Sequence, residues 1–302
     1  MSLKPRISVP CDVRKKIFLI FEGRVAEEKY FKALRVGHVY SGDIQTVIMC
    51  RGPSKRSVSN PLRIAEYYDN YFSYVQGNDC DTELFIDMVL AQLERDGQIV
   101  ELSDKEGSDC LKELKRKLME KRAATEKIIV SEEGAAEIIT EYFYDKLGCD
   151  VTIELKKLRD RCLRLEGDEY HLIVDRDKES FYDFQVKEVT EICEKDEINL
   201  VITNPCFELW LLLHFDVSKE SIIDRLSETG GLKKELLKYS KINEKGTTIP
   251  QVKNEYIRRI DNALDNLDSY CQDIESLKKE TEPDVIGSNI GELMRELTGR
   301  DK

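Results

Sequence analysis

The sequence predicts an α/β fold: a mostly parallel sheet flanked by helices, with a helical insertion and a helical C-terminal part. Three observations carry this expectation. Short apolar runs at 17–21, 46–50, 171–174 and 198–203 have the length and composition of buried strands. Helix-period segments follow these runs, the pattern of parallel strands joined by crossovers. Between 73 and 167, strand signals thin out while Glu, Lys and Leu accumulate at helical spacing.

Each element follows in order. "KKIFLIFEGR" gives a buried strand, Ile17 to Phe21, running into a Glu22-Gly23 turn. "AEEKYFKALR" continues with Tyr30, Phe31 and Leu34 at helical spacing. Thr46 to Cys50 forms a second strand, and after the loop "RGPSKRSVS" the pair Asn60-Pro61 opens a helix. Asparagine suits the N-cap, and proline the first helical position. The segments "DCLKELKRKLMEKRAATEKIIV" and "GAAEIITEYFYDKL" make 73–167 a mainly helical insertion. It would interrupt a discontinuous domain formed by 1–72 and 168–302; the alternative is a continuation of that same domain. The α/β pattern resumes with the strand 171–174, a helix over "FYDFQVKEVTEICEKD", the strand "INLVIT" and the block "NPCFELWLLLHF". There Asn204-Pro205 again signals a helix start. Charged helices fill 218–280, and "GSNIGELMREL" turns into a final amphipathic helix.

Composition narrows the classes of function. Of 302 residues, 41% are hydrophobic and 35% charged, enough for a core beneath a highly charged exterior. The net charge of -12 argues against coating nucleic acid through bulk electrostatics. It leaves room for a local grip in which a metal ion supplies positive charge. Nine cysteines, widely spaced and without a CxxC pair, fit free thiols rather than a zinc cluster or disulfide framework. With no apolar run near the ~20 residues of a membrane span, the expectation is a soluble cytoplasmic protein.

The chemistry-bearing residues lie at strand ends. Glu22 follows an apolar strand directly, where ligand sites of α/β sheets form, and Gly23 lets the chain turn there. Asp175 and Asp177 end a second strand two residues apart, so their carboxylates face the same way and Arg176 the other. Hard divalent ions such as Mg²⁺ take oxygen ligands of this kind. The competing reading is a turn with Asp177 capping the next helix. Glu208 sits inside an apolar stretch, where an unpaired carboxylate is costly, so it faces a cation or the metal site. His214 is either a satisfied core histidine or, with Asn204, a substrate contact. The loop cations Arg51, Lys55 and Arg56, with Arg24, Arg176 and Lys178 beside the acids, are candidate phosphate contacts; the alternative for the loop is a solvated, flexible segment.

"FLIFEGRVAEEKYF", "LIVDRDK" and "NPCFELWLLLHF" together resemble the RloB family, bacterial proteins found beside restriction-modification and abortive-infection loci. The resemblance covers 17–72 and 170–216, and more weakly the C-terminal block. It implies a Toprim-like fold, in which Glu22 matches the glutamate after the first strand and Asp175 and Asp177 match the Asp-x-Asp. It further implies a Mg²⁺- or Mn²⁺-dependent nuclease acting on DNA or RNA, tRNA included, as effector of an anti-phage system. Catalytic roles would fall to Glu22, Asp175, Asp177 and Glu208, and the partner would be an ABC/AAA-type ATPase. Self-association into a homo-oligomer is left open. The alternative is a non-catalytic Toprim-shaped module that docks the ATPase and uses its acids structurally.

Overall fold

The computed structural model describes residues 15–23, 26–37, 44–49, 51–53, 55, 58–75, 80–100, 102–120, 127–128, 140–145, 148, 165–177, 181–240, 247–279 and 285–300. Strand β1 (Lys15–Phe21) alternates cleanly between two cores. Phe18 and Ile20 enter one, and Ile17, Leu19 and Phe21 the other. All five are at most 6% exposed. A strand buried on both faces reads as a continuous apolar run, and each such side chain contributes about 1.5–3 kcal/mol of burial free energy.

Helix α1 (Ala26–Val36) and strand β2 (Ile44–Met49) follow, with β2 parallel to β1. Helix α2 (Pro61–Val75) begins where the sequence predicts, because Asn60 Oδ1 accepts from the backbone N–H groups of Leu62 and Arg63. The chain then makes the two-residue strand β3 (Cys80–Asp81), α3 (Thr82–Arg95), α4 (Asp104–Glu120) and the two-residue strand β4 (Lys127–Ile128), antiparallel to β3. Within 73–167 the regular structure of the described residues is therefore helical apart from this short ribbon. Their apolar side chains, among them Phe85, Ile86, Val89, Leu93 and Leu114, share a core with Phe18, Ile20, Tyr170 and Leu172 of the sheet.

Strand β5 (Glu169–Asp175) lies parallel to β1 on the side away from β2. Helix α5 (Asp183–Lys195) leads to β6 (Ile198–Asn204), parallel to β5. The sheet order is β2-β1-β5-β6-β7. Its last strand, β7 (Gly287–Ser288), is antiparallel to β6, so the five-stranded sheet is mostly parallel, consistent with a Toprim-like α/β architecture. Helices α1 and α2 pack on opposite faces, each through its own core. Strand order reverses between β1 and β5, the switch point beyond whose carboxyl ends ligand sites of open α/β sheets form.

The C-terminal part is helical: α6 (Phe207–Leu212), α7 (Lys219–Leu226), α8 (Gly231–Tyr239), α9 (Ile249–Glu255), a 3₁₀ turn at Ile257–Arg259, α10 (Ile260–Leu267), α11 (Ile274–Lys278) and α12 (Ile290–Thr298). Two expectations change here. Asn204-Pro205 does not cap a helix: β6 runs through Asn204, and Cys206 is the N-cap of α6. The Gly287-Ser288 turn is instead the edge strand β7, fastened by Thr203 and Ser288 hydroxyls 2.9 Å apart. Among the described residues, no helix is long and apolar enough to cross a membrane.

Candidate functional site

Glu22 directly follows β1 and Asp175 ends β5, the two strands that flank the switch point. Parallel pairing brings these ends together: Glu22 N–H donates to the Ile173 carbonyl at 3.1 Å. In return, Asp175 N–H donates to Glu22 Oε2 at 3.0 Å. Asp175 Oδ1 accepts from Phe207 N–H at 2.9 Å, the first residue of α6. The helix start that Asn204-Pro205 seemed to mark is thus capped by an aspartate from the neighbouring strand, where the helix dipole favours negative charge. One oxygen of Glu22 and one of Asp175 are fixed by backbone. Their second oxygens have no hydrogen-bond partner among the described residues.

A further acid joins them, which the sequence reading missed. Glu27, in the first turn of α1, is only 5% exposed. Its Oε1 accepts from Gly23 N–H at 3.1 Å. A Cβ at Gly23 would fall 2.3 Å from Glu27 Oε2, so only glycine lets this carboxylate fold back over the strand end. In "AEEKY" an acid at a helix N-terminus looks like an ordinary dipole partner. The signal available was its spacing, one helical turn beyond a strand-end Glu-Gly pair.

The cluster is electrostatically strained. Burial pushes the Glu22 carboxyl up to about 8; the charges of Glu27 and Asp177 add to this, against the Asp175 N–H and Arg51. Burial, with the Glu208 charge, lifts Glu27 to about 7. Asp175 is raised well above the usual carboxylate range by burial, then by Glu22, Glu27 and Glu208. Five acids therefore share one field: Glu22, Glu27, Asp175, the exposed Asp177 and the half-buried Glu208. Their oxygens are spread more widely than a tight three-ligand cage; among the described residues that spacing, 4.8 Å, is met by Glu169, His171 and Glu296 instead.

Arg51 is the cation of this cluster. It is 7% exposed, and its Nη2 donates to the Glu22 carbonyl at 2.8 Å. Its Nη1 is buried without a hydrogen-bond partner among the described residues. Arg51 and Lys55, with Arg63 and Tyr67, also line a cavity of about 570 Å³.

Other expected contacts fall elsewhere. Arg176 does face away from the acids, as strand alternation requires, but its guanidinium is spent inside the fold. It donates to the Phe181 carbonyl, to Asp183 Oδ1 at 2.6 Å and to the Lys278 carbonyl at 3.4 Å, at 2% exposure. That corrects its assignment as a phosphate contact. His214 is fully buried; its Nδ1 lies 3.0 Å from the Trp210 carbonyl and its Nε2 3.0 Å from the Tyr30 hydroxyl. A carbonyl can only accept, so Nδ1 carries the proton and Nε2 accepts from Tyr30. Burial holds this imidazole neutral, down to about 3, which makes it a core histidine. Asn204 Nδ2 donates to the Val285 carbonyl at 2.7 Å, a tie across the sheet edge. Arg24, Arg56 and Lys178 lie outside the described residues.

No curated protein and no solved structure matches this chain. A family model described as RloB-like protein matches residues 17–297. That span takes in β1, the acid-bearing strand ends, the intervening helices and most of α12, and by this match the chain belongs to the RloB-like family.

Proposed function

We propose that this protein is a divalent-metal-dependent nuclease of Toprim-like fold, the effector of a prokaryotic anti-phage system. The observation that carries the reading is the convergence of Glu22, Glu27, Asp175 and Glu208 at the switch point, with Arg51 as their buried cation. Acids that raise one another's proton affinity are costly to the fold, and such groups concentrate where chemistry is done.

The donor chemistry suits Mg²⁺ or Mn²⁺, being all oxygen with several negative charges; backbone N–H groups hold single oxygens of Glu22 and Asp175, and an ion would draw the others closer than they stand. Such an ion supplies charge for the pentacoordinate phosphorus and lowers the pKa of an attacking water. Glu22, Asp175 and Asp177 would hold it. Glu27 and Glu208 add charge behind them, and Arg51 keeps Glu22 in place through its carbonyl. Arg51 and Lys55 present cations along the adjoining cavity, where a nucleic-acid backbone would run. DNA and RNA, tRNA included, are both open as substrate. The ABC/AAA-type ATPase partner rests on the family alone, and the cytoplasmic setting on the reading of the cysteines as free thiols.

Purified protein should cleave labelled DNA or RNA in Mg²⁺ or Mn²⁺, and Asp175→Ala should slow this at least ~10³-fold, the size of several kcal/mol of lost transition-state stabilisation. Equal cleavage by the variant would remove the nuclease reading. The second reading, a non-catalytic module docking the ATPase, is favoured by one observation: Asp175 also caps α6. It predicts no divalent binding at the acids and wild-type-like function for Glu22→Gln.

A further inference from the structure

A second cation site lies at the opposite, amino-terminal edge of the sheet, and its chemistry differs from that of the acid cluster. Glu169 and His171 point to one face of β5, two residues apart, and Glu296 reaches them from α12. One ligand atom from each residue lies within 4.8 Å of the other two. His171 Nε2 is 3.2 Å from Glu169 Oε2. That spacing suits two ligands of one ion, since bonds of ~2.0–2.2 Å give octahedral to tetrahedral edges of about 2.8–3.6 Å. A cavity of about 490 Å³ opens beside the three, lined also by Cys193, Asn199 and Glu292.

Packing alone does not account for this histidine. His171 is 5% exposed, its sheet neighbours are Leu19 and Asn199, and its Nδ1 is buried without a hydrogen-bond partner among the described residues. Its other nitrogen, Nε2, is the one that faces the glutamates, and it also lies 3.4 Å from Asn199 Nδ2. A cation is already drawn to the spot: the Lys15 ammonium bonds Glu169 Oε1 at 2.6 Å and also Glu296.

We propose that Glu169, His171 and Glu296 form a site for a borderline divalent cation of the Zn²⁺ or Co²⁺ kind, with Lys15 bridging the two glutamates when the metal is absent. The imidazole nitrogen separates it from a Mg²⁺ site, since Mg²⁺ keeps oxygen ligands while borderline metals take imidazole. The proposal does not depend on nuclease activity.

Co²⁺ is the probe, because its visible absorption reports ligand type. Metal-free protein carrying Asp175→Asn, which disables the acid cluster, is titrated with Co²⁺ and bound metal measured by equilibrium dialysis. One equivalent should bind, resist excess Mg²⁺ and yield to Zn²⁺. Affinity should fall more than ~10-fold with His171→Ala and with Glu296→Gln, whose part-exposed position on α12 leaves the fold intact. Lys15→Met should bind Co²⁺ at least as tightly, because the competing ammonium is gone. Absence of saturable Co²⁺, or binding that ignores both ligand substitutions, would overturn the site. Melting-temperature loss in Lys15→Met without any bound Co²⁺ would leave an ion-pair network only.

Discussion

Glu27 and Arg176 show how one side chain's surroundings decide its role. Glu27 sits in a helix-opening run of charges, yet the missing Cβ of Gly23 allows it to fold over the end of β1. Arg176 sits between two candidate metal ligands, yet strand alternation turns it into the opposite core. Two predictions belong at this scale. Arg176→Ala should cost about 2–3 kcal/mol of stability by stranding the Phe181 and Lys278 carbonyls. It should do so without changing the KM of cleavage, as seen by chemical denaturation beside a kinetic assay. Glu27→Gln removes a negative neighbour of Glu22 and Asp175. Without metal it should melt a few degrees higher than wild type near pH 8, while binding Mg²⁺ about tenfold more weakly in a thermal-shift titration.

At the scale of elements, what was visible in the sequence is what strands and caps make local. Continuous apolar runs marked β1, β5 and β6, because strands buried on both faces leave no polar alternation. Asn60-Pro61 marked α2 because the cap is made within three residues. Long-range partners were invisible. Asn204-Pro205 looked like the same signal, but the cap of α6 comes from Asp175, some thirty positions away. β7 has two residues, too few for any periodicity. Of the site, Glu22 and Asp175 stood out as carboxylates closing apolar strands, and their adjacency follows from parallel pairing. Glu27 did not stand out, since a charged first turn is ordinary in any helix. His171 looked like one more residue of a buried strand, and Glu296 comes to it from the far end of the chain.

The whole molecule carries two opposite arrangements of charge on one sheet. At the carboxyl edge, acids are raised by burial and mutual repulsion; at the amino edge, Glu169 is held ionised by Lys15 and His171. Their pH signatures differ in sign. Glu22 and Glu27 have folded values near 8 and 7, above their unfolded ones, so the folded state binds extra protons. That stabilisation is complete at acid pH and is lost as pH rises through about 7 to 8. Below about pH 6.5 the buried neutral His214 works the other way, because the unfolded chain then takes up its proton. Metal-free protein should therefore melt higher near pH 6.5 than near pH 8.5. Glu22→Gln should flatten that slope, as calorimetric scans across pH would show.

The central claim, that the switch-point acids are held together at the cost of stability in order to bind a divalent cation, is tested most directly by melting wild type and Asp175→Asn in EDTA and in Mg²⁺ near pH 8. Wild type should gain several degrees in Mg²⁺, as binding to the folded state alone requires. Asp175→Asn should melt higher than wild type in EDTA, through relief of repulsion, and gain nothing from Mg²⁺. A variant that melts lower in EDTA and gains as much from Mg²⁺ as wild type would contradict the account, and would make Asp175 a helix cap and nothing more.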